Sequence, residues 1–455
     1  MLDGLAARNG GRAGLAALVA ILLLGFGLRL GEAWDGRAPV YDASAYAAIA
    51  ANLDRGEGFT VGPGATQPSS DYSPGLPLLV AGVYGVTGGV HERTARVVLA
   101  LIGALGVLLT YLLGRRLARC ALSRRQGTEN SCSAVVAGLI AALAVAVYPA
   151  LLEYQGMLMS EPLAATLLAG AVLAVLWARD VGRIGRWALP GALFGALALV
   201  RPEYFGVAVL VALVLLALGA FQDWRRALVG SAVLLAAALV VIAPWTIRNA
   251  EALGRFVPIS TGGGQVLFAG TYLPSDGNPE RVGAEVVERH PELFGPRALQ
   301  QLRLEQILAR LAAQRYPGME TDQALSKMGK EQLWDDLGEE PEFAGFVARK
   351  VWRLWGHGPR DVMREPSWEL LHWALLGFGL LGLGALAWRR RWEAAVLATV
   401  FVSITALSAL LVASPRRVLV MLPLLAACAG VGVVWAWQAA RERRRPRRAG
   451  AVAAD

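Results

Sequence analysis

Long apolar runs recur along this chain of 455 residues and constrain its fold more than any other feature. They fall near 13–33, 94–114, 134–152, 161–178, 187–201, 204–221, 227–245, 368–387, 393–413 and 417–438. Runs of roughly 17 to 25 apolar residues are typical of transmembrane helices, which satisfy every backbone polar group within lipid. The composition agrees, with 55% hydrophobic and 17% charged residues. The sequence predicts an all-α polytopic membrane protein with about ten transmembrane helices.

Short clusters of arginine predict how these helices are oriented. If the N-terminus faces the cytoplasm, the arginine clusters and the basic tail all face inward. The clusters lie at 115–125, 179–186, 225–226 and 389–391, and the tail at 441–455. This is the distribution that the positive-inside rule requires. The net charge of +9 therefore reflects membrane topology and contact with lipid headgroups, and nucleic acid is not an expected partner.

The apolar run at 74–90 does not fit as a further span. Counting it as one would invert every later loop and place the arginine clusters outside. We interpret it as an interfacial or re-entrant helix in the first outer loop. This choice places Asp42, Glu161, Arg201 and Arg416 on the same, outer side of the membrane.

The segment 246–367 is far longer than an ordinary connection, and long loops of this kind are usually functional. Its helical periodicity predicts a small helical outer subdomain. The chain then divides into an N-terminal transmembrane catalytic module with the first two outer loops (1–245), the outer subdomain (246–367), C-terminal transmembrane helices (368–440) and a basic cytoplasmic tail (441–455).

Two carboxylates at the outer ends of spans are the candidate catalytic residues. Asp42 precedes a helical stretch at 43–53, and Glu161 follows Ser160 at the start of a predicted span. Either acid could simply cap a helix or complement its dipole. Charged groups near lipid are costly, however, and are usually retained for function. We therefore predict Asp42 as a base for an acceptor hydroxyl, with Glu161 orienting it or sharing the proton.

Several arginines lie on the outer side, against the positive-inside bias, and this placement suggests an anionic ligand there. They are Arg201, Arg248 and the adjacent pair Arg416 and Arg417. Each could instead be an interfacial anchor or, for Arg201, a partner of Glu203. A guanidinium fork suits phosphate, so we predict a lipid-phosphate site. The side chains expected to contact the remainder of the substrate are Tyr41, Tyr46, Tyr72 and Asn249.

The sequence does not require a cofactor. The three cysteines are scattered, and His290, His357 and His372 show no metal-binding spacing. A donor that already carries a phosphate leaving group needs no metal for activation. A divalent metal is thus compatible with the sequence, but no metal ligands are predicted.

The order of several short motifs resembles that of one enzyme superfamily. The motifs are Tyr41-Asp42 with Tyr46, Ser73-Pro74-Gly75-Leu76-Pro77, Ser160-Glu161-Pro162, Arg201-Pro202-Glu203 and Pro244-Trp245-Thr246-Ile247-Arg248-Asn249. In this respect the chain resembles the bacterial C-type glycosyltransferases related to protein O-mannosyltransferases and to the aminoarabinose transferase of lipid A. The resemblance covers roughly residues 15–275 and the approach to the last span.

The resemblance implies an enzyme of the bacterial inner membrane whose active site faces the periplasm. It would transfer a sugar, with inversion, from a polyprenyl-phosphate donor to an extracytoplasmic lipid, glycan or protein. By this likeness Asp42 and Glu161 match the acids of the first and second outer loops, and Arg201 and Arg248 match basic positions near the lipid phosphate. Two alternatives remain open: a transporter or flippase for a lipid-linked sugar, and an O-antigen ligase or polymerase that uses a diphosphate-linked donor.

Overall fold

All regular structure in the described part of the chain is helical. The computed structural model describes residues 2–36, 39, 42–62, 65–122, 128–219, 223–295, 297–337 and 342–444. The α-helices are α1 (Leu2–Asp35), α2 (Asp42–Asp54), α3 (Gly75–Thr87), α4 (Glu92–Ala121), α5 (Thr128–Val147), α6 (Pro149–Gly156), α7 (Ser160–Val181), α8 (Ala188–Val200), α9 (Glu203–Gly219), α10 (Trp224–Leu253), α11 (Gly263–Thr271), α12 (Pro279–Arg289), α13 (Ala298–Gln301), α14 (Leu304–Arg315), α15 (Thr321–Leu337), α16 (Glu342–Trp355), α17 (Pro366–Trp388), α18 (Trp392–Leu410) and α19 (Arg416–Arg444). Short 3-10 turns precede α8, α12 and α17.

Seven of the described helices are long and apolar enough to cross a membrane, and the protein is accordingly a multi-pass membrane protein. They are α1, α4, α7, α10, α17, α18 and α19, and α5 with α6 would form an eighth span that is bent by 48°. Each of the ten predicted runs does coincide with a helix. However, α8 has 13 residues and α9 has 17, and at about 1.5 Å per residue both are shorter than a bilayer core of about 30 Å. Arg201 and Pro202 lie between these two helices, where the two predicted runs are also divided.

Helix α19 forms the centre of the bundle. In its most apolar stretch of 18 residues, 89% of the residues are buried, whereas only 17% are buried in the corresponding stretch of α1. Glycines let the helix axes approach closely: a Cβ on Gly382 would lie 1.9 Å from the carbonyl oxygen of Cys428, and one on Gly432 would lie 2.1 Å from that of Phe378. Close packing through small residues is a general means of associating helices in lipid, where no hydrophobic effect drives them together. The first helix is left with a broad lipid-facing surface.

The segment predicted to be interfacial forms α3, which at 13 residues is too short to span a bilayer. It ends at Gly88, whose φ of 77° lies in the left-handed region that glycine adopts without strain. Helix α3 packs against α2 and the end of α8, where a Cβ on Gly75 would meet the backbone nitrogen of Val200 at 2.9 Å. Through these contacts α3 supports the helix that carries Asp42.

The segment 246–367 contains helices α11 to α16, and several of them share a core of their own. That core includes Phe268, Val282, Ile307, Leu308 and Leu325, all nearly inaccessible to solvent. Helix α10 extends to Leu253, beyond the predicted boundary at residue 245. Gly270 of α11 approaches the backbone of Leu411 so closely that a Cβ would lie 2.3 Å from its carbonyl carbon. This contact joins the segment to the loop that leads into α19.

Lys350 on α16 makes the stability of this segment depend on pH. Its side chain is fully buried, and its Nζ donates a 2.7 Å hydrogen bond to the carbonyl oxygen of Gly270. Burial, together with the nearby positive charges of Arg353 and Arg417, lowers the pKa of Lys350 to about 7. An unfolded lysine keeps its proton to about pH 10.4. Between these values the unfolded state binds more protons, so the free energy of unfolding rises with pH.

We therefore expect the Tm of the purified protein to rise between pH 6.5 and pH 9, and the Lys350→Met variant to lose most of this rise. The contribution of the lysine is on the order of 1 kcal/mol per pH unit at most within this window. Thermal unfolding at four pH values would measure it, with the exposed Lys330 changed to Met as the control. A wild-type Tm that changes with pH in the same way as that of Lys350→Met would contradict the prediction.

Candidate active site

Asp42 is the first residue of α2 and projects into a cluster of charged side chains. Alanines fill much of the helix that follows, and Ala43, Ile49 and Ala50 bury its inner face. Its side chain is 43% exposed, and only Oδ2 accepts a hydrogen bond in the described structure, from Arg416 at 2.9 Å. A carboxylate at a helix N-terminus is favoured by the dipole. Asp42 is thus both held in place and open to a substrate.

Glu161 lies at the start of α7 and is fully buried. Pro162 occupies the first turn, where its missing N–H costs nothing. Oε1 of Glu161 accepts two charge-assisted hydrogen bonds of 2.9 Å, from Arg201 and from Arg416. The other oxygen, Oε2, has no hydrogen-bond partner among the described residues. Glu161 is consequently the fixed anion around which the two arginines are arranged.

Arg416, the first residue of α19, bridges the two predicted catalytic acids. Its Nε donates to Glu161 and its terminal nitrogen to Asp42, both at 2.9 Å. The ring of Tyr154 lies 5.6 Å from the guanidinium carbon, a distance typical of a cation–π contact. Three residues that are 119 to 374 positions apart in the sequence therefore meet at one point.

Arg201 and Arg417 extend the cluster on its buried side. Arg201 follows α8 and also donates to Glu203 at 3.1 Å. Arg417 lies 3.9 Å from the same Glu203 and donates to Ser408 and to the carbonyl oxygen of Val412. The side chain of Arg417 is 10% exposed, compared with 28% for Arg416. Arg417 thus fixes the loop before α19, while Arg416 faces the accessible side.

Tyr46 and Tyr72 lie beside Asp42. Their rings pack edge to face with centroids 5.8 Å apart. Burial and, secondarily, the charge of Asp42 raise the pKa of Tyr46, and the same causes raise the pKa of Tyr72 to about 12. Both phenols are therefore neutral at physiological pH and can donate a hydrogen bond.

The structure does not bring Arg248 and Asn249 into this cluster. Arg248 donates to the carbonyl oxygens of Ser69 and Phe59, and Asn249 donates to those of Val257 and Ile259. No described contact joins either residue to Asp42 or Glu161. Arg248 holds the segment between α2 and α3, and Asn249 holds the segment that follows α10. Tyr41, the remaining predicted substrate-binding residue, lies outside the described residues, as does the tail beyond Arg444.

A second ion pair next to the cluster was not predicted from the sequence. Arg360, which immediately precedes the 3-10 turn before α17, donates to both oxygens of Glu153 on α6 at 3.0 and 2.7 Å. Its guanidinium carbon lies 5.8 Å from the ring of Tyr154. Tyr154 therefore contacts two arginines. In the sequence, Arg360 is one of many charged residues in a polar segment, and no local pattern distinguishes it.

The arrangement has the parts needed for transfer to a hydroxyl group. Asp42 offers an accessible carboxylate oxygen, and Arg416 places a guanidinium fork next to it. Positive charge next to a base is suited to a reaction in which a hydroxyl proton is removed while an anionic group departs. Among the described residues, no group of three or more His, Cys, Asp or Glu side chains could hold a metal ion.

The fold is similar to that of solved oligosaccharyltransferases, in agreement with the resemblance in sequence. The oligosaccharyltransferase of Archaeoglobus fulgidus in its apo form is similar, with a TM-score of 0.57 and 16% identity over 95% of this chain and 51% of that chain. Archaeal oligosaccharyltransferase AglB from the same organism, in complex with an inhibitory peptide and a dolichol-phosphate, gives a TM-score of 0.56 with the same identity and coverage. The chain thus spans about half the length of the oligosaccharyltransferases that it matches.

A third similar structure is that of ArnT from Cupriavidus metallidurans bound to undecaprenyl phosphate. It is 15% identical over 94% of this chain and 79% of that chain, with a TM-score of 0.38, which is too low to carry an argument. No family model matches the chain, and no curated protein matches it either. At these identities the structural similarity establishes the fold alone. The chemistry follows from the geometry and charges of the cluster of Asp42, Glu161, Arg201 and Arg416.

Proposed function

We propose that this protein is an inner-membrane glycosyltransferase that moves a sugar from a polyprenyl-phosphate donor to an acceptor hydroxyl on the periplasmic side. The observation that carries the proposal is the bridge of Arg416 between Asp42 and Glu161. It supports the proposal because a guanidinium fork, which suits phosphate, lies beside an accessible carboxylate. The fold is similar to that of a protein that was solved with a dolichol-phosphate.

In the proposed reaction, Asp42 accepts the proton of the acceptor hydroxyl. The acceptor oxygen forms a bond to the anomeric carbon while the bond from that carbon to the phosphate oxygen breaks, and configuration inverts. The electron pair leaves with the phosphate. Arg416, aided by Arg201, stabilises the growing charge on the leaving group.

The burial of Glu161 supports an orienting role over a shared proton. Its Oε1 is occupied by two guanidinium groups and its side chain is fully buried. Removing such a carboxylate would leave Arg201 without its best partner in a region of low dielectric. Tyr46 and Tyr72 are placed to donate hydrogen bonds to sugar hydroxyls next to Asp42.

Native mass spectrometry of the protein in lipid nanodiscs tests the donor class. We expect the protein to retain polyprenyl-phosphate but not the uncharged polyprenol, because the fork of Arg416 recognises the phosphate. Incubation with a polyprenyl-phosphate sugar and a mixture of candidate acceptors should then release polyprenyl-phosphate. Retention of polyprenol and polyprenyl-phosphate alike would contradict the proposal, and selective retention of a diphosphate-linked glycan would favour the ligase alternative.

A further inference from the structure

A buried arginine inside the bundle caps a broken helix. Arg29 lies in α1 and is fully buried. Its two terminal nitrogens donate to the carbonyl oxygens of Val145 and Ala146, both at 3.1 Å, and one also donates to that of Gly25 at 2.9 Å. Helix α5 ends at Val147 because Pro149 has no N–H to donate to the carbonyl oxygen of Val145. Arg29 supplies the missing donors at the negative end of the α5 dipole.

Arg29 still has an unused donor, and it faces a second unsatisfied side chain. Its Nε has no hydrogen-bond partner among the described residues. Gln155, on α6 directly after the break, is also fully buried, and neither its amide oxygen nor its amide nitrogen has such a partner. Burying an unpaired donor or acceptor costs about 1–3 kcal/mol for each group, so the two that lie close together, Nε of Arg29 and Oε1 of Gln155, call for an explanation.

The unsatisfied atoms lie around one small cavity. Arg29 and Gln155 line it together with Gly103, Pro162 and Thr166. The volume in which the centre of a water molecule fits is about 10 Å³. Nε of Arg29 and Oε1 of Gln155 each lie 2.6 Å from the position that a Cβ on Gly103 would occupy. Two atoms so placed can be bridged by one water with ordinary hydrogen bonds of about 2.8 Å.

We propose that Arg29 and Gln155 bind a single ordered water molecule in this cavity, and that this water links the capped end of α5 to α6. The water accepts a hydrogen bond from Nε of Arg29 and donates one to Oε1 of Gln155. A polar site of this size with at least two partners meets the requirements for a buried water. The site does not depend on the proposed transferase activity.

Helix α6 explains why such a link matters. It has only eight residues and follows a sharp bend, so it has few internal hydrogen bonds to fix its position. It nevertheless carries Glu153, which holds Arg360, and Tyr154, which contacts Arg416. The water-linked pair of Arg29 and Gln155 lies beneath these contacts and sets the position of α6 relative to α1 and α5.

The sign of the stability change in Gln155→Met tests the proposal, because methionine keeps the shape of glutamine and removes its amide. If the amide binds water, the variant loses hydrogen bonds and its Tm falls by about 2–4 °C. If the amide is truly unpaired, removing it raises the Tm or leaves it unchanged, and the proposal is overturned. The exposed Gln300 changed to Met gives the effect of the same substitution at the surface.

Gly103→Ala tests the site by filling it. The new methyl group would lie 2.6 Å from Nε of Arg29 and from Oε1 of Gln155 and 2.8 Å from Cδ of Arg29, so the side chains must shift and the water site is lost. A cryo-EM map of the wild-type protein that resolves ordered waters should show one peak within hydrogen-bond distance of Arg29 and Gln155, and the map of Gly103→Ala should not. Gly27→Ala, where a Cβ would meet no atom within 4 Å, serves as the control. A wild-type map without this peak, or with Nε and Oε1 in direct contact, would rule the water site out.

Discussion

Replacing Asp42 with asparagine is expected to lower the turnover number of sugar transfer by about 10²–10⁴-fold, the range over which positioned general bases contribute. The amide oxygen of asparagine can still accept the hydrogen bond that Arg416 now donates to Oδ2. Donor binding should therefore not be weakened, while the ability to accept a proton is lost. Steady-state kinetics with a polyprenyl-phosphate sugar, together with native mass spectrometry of the lipid adduct, would separate these two effects.

Asp54→Asn is the matched control, since Asp54 ends the same helix that Asp42 begins. The control should transfer sugar at the wild-type rate. If Asp42→Asn kept wild-type turnover, Asp42 would not be the base, and the role would pass to another group. If it lost donor binding as well as turnover, the residue would serve mainly to hold Arg416.

Replacing Arg416 with lysine is expected to weaken donor binding about 10- to 100-fold. Lysine keeps the positive charge that Glu161 needs but loses the planar fork, which now donates through two nitrogens to two acids. A charge-assisted hydrogen bond contributes about 1.5–3 kcal/mol, and each 1.4 kcal/mol corresponds to a factor of ten in affinity. Titration of the nanodisc-embedded protein with polyprenyl-phosphate, followed by native mass spectrometry, would give the Kd.

Arg360→Lys serves as the control for this variant, because Arg360 also lies over the ring of Tyr154 but pairs with Glu153 instead. We expect its Kd for the donor to stay within about twofold of the wild-type value, as is usual for a partly exposed ion pair. Equal losses in both variants would place the phosphate between the two arginines. An unchanged Kd in Arg416→Lys would remove Arg416 from the phosphate site.

Continuous apolar runs predicted the helices of this protein well. Lipid requires each span to be apolar and to satisfy its backbone polar groups within a helix. Within the described residues, each of the ten apolar runs overlaps at least one helix, and the run at 74–90 forms the short helix α3. The prediction was less accurate for which of these helices are long enough to cross a bilayer. The ends of α8 and α9 depend on where polar residues interrupt the helix, and the bend between α5 and α6 depends on Pro149. A sliding average of hydropathy detects neither feature.

Parts of the candidate site could be predicted because charged residues at the ends of spans are rare and costly. Asp42, Glu161, Arg201 and Arg416 stood out for this reason, and the structure brings all four together. Arg248 stood out equally but binds backbone carbonyl oxygens of a nearby loop. The difference lies in tertiary contacts, which neither residue type nor spacing reveals. Arg29 was overlooked because a single arginine scarcely lowers the hydropathy of a long apolar run.

The charges of the cluster balance, and this governs how a donor can enter. Asp42, Glu161 and Glu203 face Arg201, Arg416 and Arg417, and each of these arginines already has a carboxylate partner. An arriving phosphate must therefore displace a resident anion. Asp42 is the exposed partner of Arg416, whereas Glu161 is fully buried. Under the proposed function, Asp42 is thus the acid that yields, and binding of the phosphate frees its Oδ2 in addition to Oδ1, which accepts no hydrogen bond in the described structure.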